Sequence, residues 1–259
     1  MMNETKFKKV AIRAALRSGL FIKSSVGRIE TISYKGRDNI VTDVDKKSER
    51  MILRDIQAAF PDHSILSEES EPKRGTSPYK WIVDPLDGTT NFAHAFPFFS
   101  VSIALEFNGS ICLGVVYDPM RDELFYAENK NGSYLNGKKI HVSKTKKLID
   151  GFISTGFSYG MKKKDRNVGY FRNMLTRSSA IRRAGSAALD LCYVACGRFD
   201  GFWEMDLHPW DSAAGKLIVE EASGCVTRFD GRTYSPYDKD ILATNGVIHK
   251  QMSRVLTQK

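Results

Sequence analysis

An apolar run ends in paired acids at "WIVDPLDGTTNF", residues 81–92, where Asp84 and Asp87 flank Pro85 and Leu86. Proline disfavours helix in the residue before it, so Asp84 stays extended at the end of a strand. The chain then turns through Asp87-Gly88-Thr89-Thr90, which can bring a second carboxylate and backbone N–H groups into the same space. Two carboxylates with the Leu86 carbonyl between them make a hard-oxygen set. Such sets suit Mg²⁺, which takes a few carboxylates together with water and phosphate oxygens. Asp-x-x-Asp-Gly is also an ordinary turn, and these residues alone leave both readings open.

Other acids recur at comparable places. "ILSEES" (65–70) is a second apolar run ending in acids, Glu68 and Glu69. "VTDVDKKSE" (41–49) sets Asp43 and Asp45 just before a helix, and "HPWDSAAGKLIVEEASG" (208–224) sets Asp211 at the start of another. Each alone reads as a helix cap or a solvated acid, and Asp211 is a natural N-cap. Four such clusters exceed what caps require, and two divalent ions would account for them.

The elements that must position these acids can be read from periodicity. Phe7, Val10, Ala14, Ser18 and Phe21 fall at helical spacing among Lys6, Lys9, Arg13 and Arg17, which predicts an amphipathic helix over 5–26. A basic loop around Lys35–Arg37 precedes a helix over 44–59, stopped by Phe60-Pro61. Short apolar runs at 63–67, 79–84, 98–107 and 111–118 and a strand at 123–127 follow, and "NKNGSYLNGKKI" (129–140) carries hairpin turn signals. The second half alternates apolar runs (152–157, 199–204, 225–229, 241–244) with helices (165–177, 186–196, 212–222). The mixture indicates a layered α/β (α+β) fold. The polar stretch 141–150 is the seam, giving halves of 1–145 and 146–259 within one unit.

Composition bounds the function. A chain of 259 residues, 42% hydrophobic and 27% charged, is that of an ordinary globular protein. No run approaches the ~18–20 apolar residues that span a bilayer, and the N-terminus does not read as a signal peptide, so a cytoplasmic protein without membrane contact is expected. Cys112, Cys192, Cys196 and Cys225 include no C-x-x-C pair and read as small buried hydrophobes. The net charge of +9 suggests an anionic partner, either nucleic acid or a phosphorylated small molecule. Its cations are scattered, and the one tight run, Lys162–Lys163–Lys164, lacks interleaved aromatics, which argues against nucleic acid.

With these residues assembled, the chain resembles the inositol monophosphatase family, and its wording is closest to the bacterial inositol-1-monophosphatase branch. "WIVDPLDGTTNFAHAFPFFSVSIAL" (81–105) and "WEMDLHPWDSAAGKLIVEEASG" (203–224) are similar to the family's two signatures, with "VTDVD", "SEES" and "RRAGSAALDLCYVACGRFDGFWE" (182–204) in family order around them. The resemblance covers nearly the whole chain. It implies a layered αβαβα sandwich, a cytoplasmic homodimer, and Mg²⁺-dependent hydrolysis of a phosphorylated polyol, foremost myo-inositol monophosphate. Glu68 and Asp84 would bind one Mg²⁺ with the Leu86 carbonyl, and Asp84, Asp87 and Asp211 a second; a third, weaker ion near Glu68 is an option in this family. Thr89, paired with Asp45, would take a proton from the attacking water. The Gly88 and Thr89 N–H groups would hold phosphate, with Gly185, Ser186, Glu204 and Asp211 as further substrate contacts. Lys35 would lie near the site. One metal would acidify water while the other neutralises the leaving oxygen.

Two residues depart from the family pattern. Asp206 stands where the family carries a small residue, and Ser223 replaces one of a glycine pair. His94 and His208 read as packing residues, Trp81, Trp203 and Trp210 as core or site-wall aromatics. Arg182 and Arg183 suit an anionic substrate, a subunit contact or simple exposure. Three alternatives remain open. An aspartyl-nucleophile phosphatase of the haloacid dehalogenase type needs Asp-x-Asp, which Asp-x-x-Asp disfavours. The same chemistry could act on fructose 1,6-bisphosphate, histidinol phosphate or 3′-phosphoadenosine nucleotides. A basic regulatory or binding protein on this fold is the alternative of another class.

Overall fold

A computed structural model describes residues 2–29, 31–34, 40–157 and 161–258; Lys35 and Arg37 lie outside them. The amphipathic opening forms α1 (Met2–Ser24), which buries Phe7, Val10, Ala14 and Ser18 as the spacing predicts. An antiparallel pair, β1 (Ile32–Tyr34) and β2 (Ile40–Thr42), leads to α2 (Asp43–Ala59). Thr42 caps α2: its hydroxyl oxygen accepts from the Val44 and Asp45 N–H groups, and the Asp45 carboxylate accepts from the Thr42 N–H at 2.8 Å.

Seven strands then form one sheet in chain order. They are β3 (Ser64–Ser67), β4 (Tyr79–Asp87), β5 (Ser100–Phe107), β6 (Ser110–Asp118), β7 (Glu123–Glu128), β8 (Ser133–Leu135) and β9 (Lys138–Lys139). Only β3 and β4 run parallel; the rest is an antiparallel meander. The β8–β9 turn holds Asn136 at φ 48° and Gly137 at φ 77°, the left-handed pair that a tight Asn-Gly hairpin demands. A one-turn helix, α3 (Thr89–Ala93), leaves the end of β4.

The second sheet has the order β11-β10-β12-β14-β13. Its strands are β10 (Phe152–Thr155), β11 (Ala180–Arg182), β12 (Gly201–Met205), β13 (Cys225–Thr227) and β14 (Asp240–Thr244). Helices α4 (Met161–Leu175), α5 (Ala187–Ala195), α6 (Pro209–Glu221) and α7 (His249–Thr257) complete the chain. Three apolar clusters define the layers. One joins α1 and α2 to the seven-stranded sheet through Ile52, Ile56, Trp81 and Val115. A second joins both sheets to α5 and α6 between them, through Ala104, Leu191, Ala214 and Phe202. The third covers the outer face of the smaller sheet with α4 and α7, through Met174, Trp203 and Met252. That is an αβαβα sandwich. Its central layer is tight: a Cβ on Gly114 of β6 would lie 2.6 Å from the Ala214 carbonyl oxygen of α6.

Several sequence expectations are corrected here. Helix α6 starts at Pro209, not at residue 212, because proline suits the first helical position. Asp211 is therefore its third residue and not its N-cap. Helix α4 starts four residues earlier than the periodicity suggested, and β11 and α7 were not anticipated. The signal for α7 was present: Ile248, Met252, Val255 and Leu256 follow the helical period and are buried. Trp81 and Trp203 are core residues, and all four cysteines are free.

Both departures from the family pattern have a backbone reason. Asp206 has φ 58° and Ser223, just beyond α6, has φ 70°. Both are left-handed positions that favour glycine, with aspartate among the better substitutes.

Candidate active site

A regular strand puts residues i and i+3 on opposite faces. Asp84 pairs with Ser102 and Asp87 with Ser100, so three steps along β4 match two along β5. This one-residue bulge at Pro85-Leu86 returns Asp87 to the face of Asp84. Proline fits there because it has no N–H to give to the ladder. The Ser48 hydroxyl of α2 donates to the Pro85 carbonyl at 2.7 Å and pins the bulge from behind.

Other element ends meet this face. β3 runs parallel to β4, with Ser67 opposite Val83, so the next residue, Glu68, arrives beside Asp84. At the start of α6, Asp211 accepts from the His208 N–H at 2.7 Å, while Ser102 donates to the Trp210 carbonyl at 3.2 Å and ties that helix end to β5. Carboxylate oxygens of Asp84, Asp87 and Asp211 lie within 4.8 Å of one another. Glu68 lines the same cavity but stands outside this trio.

Hydrogen bonds from the backbone and from Ser186 hold the trio. Asp84 Oδ1 accepts from the Leu86 N–H at 3.0 Å. Asp87 Oδ2 accepts from the Ser186 hydroxyl and from the Ala188 N–H, so the first turn of α5 grips it. Ser186 also caps that helix and is 1% exposed, which leaves it committed to holding Asp87. None of the three forms a salt bridge among the described residues. Burial pushes Asp84 and Asp211 well above the usual carboxylate range, and the neighbouring acids add to it. Asp87 rises to about 6, again through burial, with the Ser186 and Ala188 hydrogen bonds opposing. Three crowded carboxylates, two buried and one half-buried, with no neutralising side chain fit a hard divalent cation.

Beside them, the Thr89 hydroxyl lies 2.8 Å from Asp45 Oδ1 and 3.0 Å from the Leu86 carbonyl, with Asp45 accepting as the base-side partner. Burial raises the Asp45 carboxyl above its usual range, against hydrogen bonds from Thr42 and Thr89. Gly88 lies at φ 91°, and a Cβ there would meet the Phe98 carbonyl at 3.0 Å. Gly185, at φ 93°, meets Gly88 through its carbonyl and leaves room for Arg183 and Asn91.

The cavity between these groups, about 110 Å³, continues to Glu204 at the end of β12. Burial pushes Glu204 up to about 8, with Arg183 opposing. Thus Glu68, Asp84, Leu86, Asp87, Gly88, Thr89, Gly185, Ser186, Glu204 and Asp211 line one cavity, with Asp45 one hydrogen bond behind Thr89.

Sequence reasoning missed Gly156, Phe157, Ala187, Asp190 and Leu207, which line it too, and left Arg183 undecided. Asp190 lay in plain view inside "GSAALDLC", but an acid in a helix gives no sign of its facing until α5 is packed. It is 1% exposed, and burial with Glu204 and Asp87 nearby raises it well above the usual range.

The chain is similar to known proteins over nearly its whole length. The model described as the inositol monophosphatase family matches residues 3–259. An inositol-1-monophosphatase of Synechocystis sp. is 44% identical, covering 96% of this chain and 88% of its own. A protein named Nus factor SuhB from Pseudomonas aeruginosa is 43% identical, covering 86% of this chain and 85% of its own. The crystal structure of the extragenic suppressor protein suhB from Bartonella henselae superposes with a TM-score of 0.94 at 42% identity, covering 98% of this chain and 99% of that one.

Proposed function

Because this chain belongs to the inositol monophosphatase family, we propose that it is a Mg²⁺-dependent phosphatase of polyol phosphomonoesters, with myo-inositol monophosphate as its foremost substrate. The observation that carries this reading is the convergence of Asp84, Asp87 and Asp211 within 4.8 Å, beside Thr89 and Glu204 in one cavity.

Glu68, Asp84 and the Leu86 carbonyl would hold one Mg²⁺, and Asp84, Asp87 and Asp211 a second; a third near Glu68 belongs to the same proposal. Mg²⁺ bound there supplies Lewis acidity, acidifying water and neutralising charge on the phosphate and leaving oxygens. The chain's own residues do the positioning. Thr89 Oγ, within hydrogen-bond reach of Asp45, would offer its lone pairs to the attacking water and orient it. As the water's proton moves to Thr89 Oγ, the Thr89 proton moves to Asp45 Oδ1, a carboxylate whose raised affinity suits a base. The Gly88 and Thr89 N–H groups precede the first hydrogen bond of α3, from the Phe92 N–H to the Gly88 carbonyl, and are offered to phosphate oxygens. Ser186 acts by orienting Asp87. Glu204 accepts hydrogen bonds from hydroxyls of the polyol.

We extend the proposal to a homodimer in the cytoplasm, with Lys35 near the active site. Among the described residues no helix is long and apolar enough to cross a membrane. The halves 1–145 and 146–259 are proposed to act as one catalytic unit, since the cavity draws Asp84 from one and Asp211 from the other.

A kcat/KM panel over inositol 1-phosphate, fructose 1,6-bisphosphate, histidinol phosphate and a 3′-phosphoadenosine nucleotide tests the substrate. Inositol 1-phosphate is expected to lead; a poor rank for it would transfer the same chemistry to another alcohol. A second reading, a regulatory role, is favoured by the net charge of +9 and by relatives named Nus factor SuhB. Binding to RNA that persists at high salt would support it.

A further inference from the structure

Gly156 follows β10 in the cavity wall, and a Cβ built on it would lie 2.1 Å from both carboxylate oxygens of Glu204. The Glu204 carboxylate therefore rests against the Gly156 Cα, a place that any larger residue would occupy. The Gly156 backbone is itself tethered. Asn167 of α4, 2% exposed, donates from Nδ2 to the Gly156 carbonyl and, at 3.3 Å, to Thr155 Oγ1. Its Oδ1 accepts from Trp203 Nε1 at 2.9 Å, and the Thr155 hydroxyl donates to the Trp203 carbonyl at 2.7 Å. One buried amide thus fastens the end of β10 and the residue preceding Glu204 to the same helix.

We propose that Gly156 and Asn167 are positioning residues that hold the Glu204 carboxylate at the cavity and thereby set the preference for polyhydroxylated leaving groups. A buried acceptor discriminates strongly for a hydroxyl only when it is fixed within a fraction of an ångström; left mobile, it would swing and lose that selectivity. The hydrogen bonds of Asn167 run to Thr155, Gly156 and Trp203 and leave out the acid trio, so its influence reaches the cavity through Glu204. The proposal rests on reading Glu204 as the hydroxyl contact.

The readout is the ratio of kcat/KM on inositol 1-phosphate to kcat/KM on phenyl phosphate, which offers no alcohol hydroxyl. Gly156→Ala and Asn167→Ala are each expected to lower that ratio about tenfold or more, as Glu204→Ala does, the scale of leaving one buried hydrogen-bonding group unpaired. Asn167→Asp keeps the acceptor for Trp203 while losing the donor to Gly156, and is expected to follow them without removing core volume. On a Glu204→Ala background, neither Gly156→Ala nor Asn167→Ala should lower the ratio further. A wild-type ratio in the single variants while Glu204→Ala loses it, or additive losses in the doubles, overturns the positioning role. A wild-type ratio in Glu204→Ala instead removes the polyol reading of Glu204. A crystal structure of Gly156→Ala then decides the positioning claim, supported by a displaced Glu204 carboxylate and overturned by an unmoved one.

Discussion

Removing one charge from the acid trio should separate stability from activity. Asp84 and Asp87 are buried, Asp211 is half-buried, and the three are crowded without a cationic side chain, so each ionised carboxylate is unfavourable until a metal arrives. Asp84→Asn is expected to stabilise the metal-free protein at pH 8 by about 1–3 kcal/mol, the scale of relieving a poorly compensated buried group. The same variant should lose about 10²–10³-fold in phosphate release. Paired chemical melts in chelator and phosphate assays in Mg²⁺ check both halves; unchanged Mg²⁺-dependent activity would remove Asp84 from the site. The residue types at 84 and 87 were legible in the sequence, because Pro85 forces an extended chain. The bulge that turns i and i+3 onto one face was not, since it exists only in the pairing with β5. Gly156 was illegible for a similar reason: its partner, Glu204, lies on a strand distant in the chain.

At the scale of elements, chain ends do the assembling: β3, the β4 bulge, α5, α6 and β12 each deliver groups to the cavity. Their existence was readable from periodicity, whereas their starts were less so. Pro209 shows why, because its place at the first turn of α6 moves Asp211 from cap to third position while leaving it facing the trio. Short β11 offers too few residues to show any period, and α7 shows one that was passed over. The C-terminal end of α6 carries a liability. Ser223 sits at φ 70°, where an L side chain costs about 1 kcal/mol. Ser223→Gly should therefore raise stability by roughly that amount and Tm by about 2–4 °C, with kcat/KM unchanged. A lower Tm in thermal melts would contradict the backbone argument.

For the whole molecule, charge is distributed unequally: the net is +9, yet the acid-lined cavity concentrates carboxylates. The overall charge therefore gave no guide to the site. Its consequence appears in pH dependence. Carboxyls raised by folding bind protons more tightly in the folded state, so their contribution is complete at low pH and is lost as pH rises through the folded values. Those values are about 6 for Asp87 and about 8 for Glu204. Across pH 5.5–8.5 the metal-free protein should lose more stability than its Asp84→Asn variant, and Mg²⁺ should raise Tm more at the alkaline end. An equal Mg²⁺ shift at both ends would contradict the electrostatic account. The central claim, metal-dependent hydrolysis at the acid trio, is tested most directly by phosphate release from inositol 1-phosphate during chelation and Mg²⁺ readdition. The account predicts that activity disappears in chelator and returns saturably with Mg²⁺ in the wild type but not in Asp84→Asn; release that persists in chelator would contradict it.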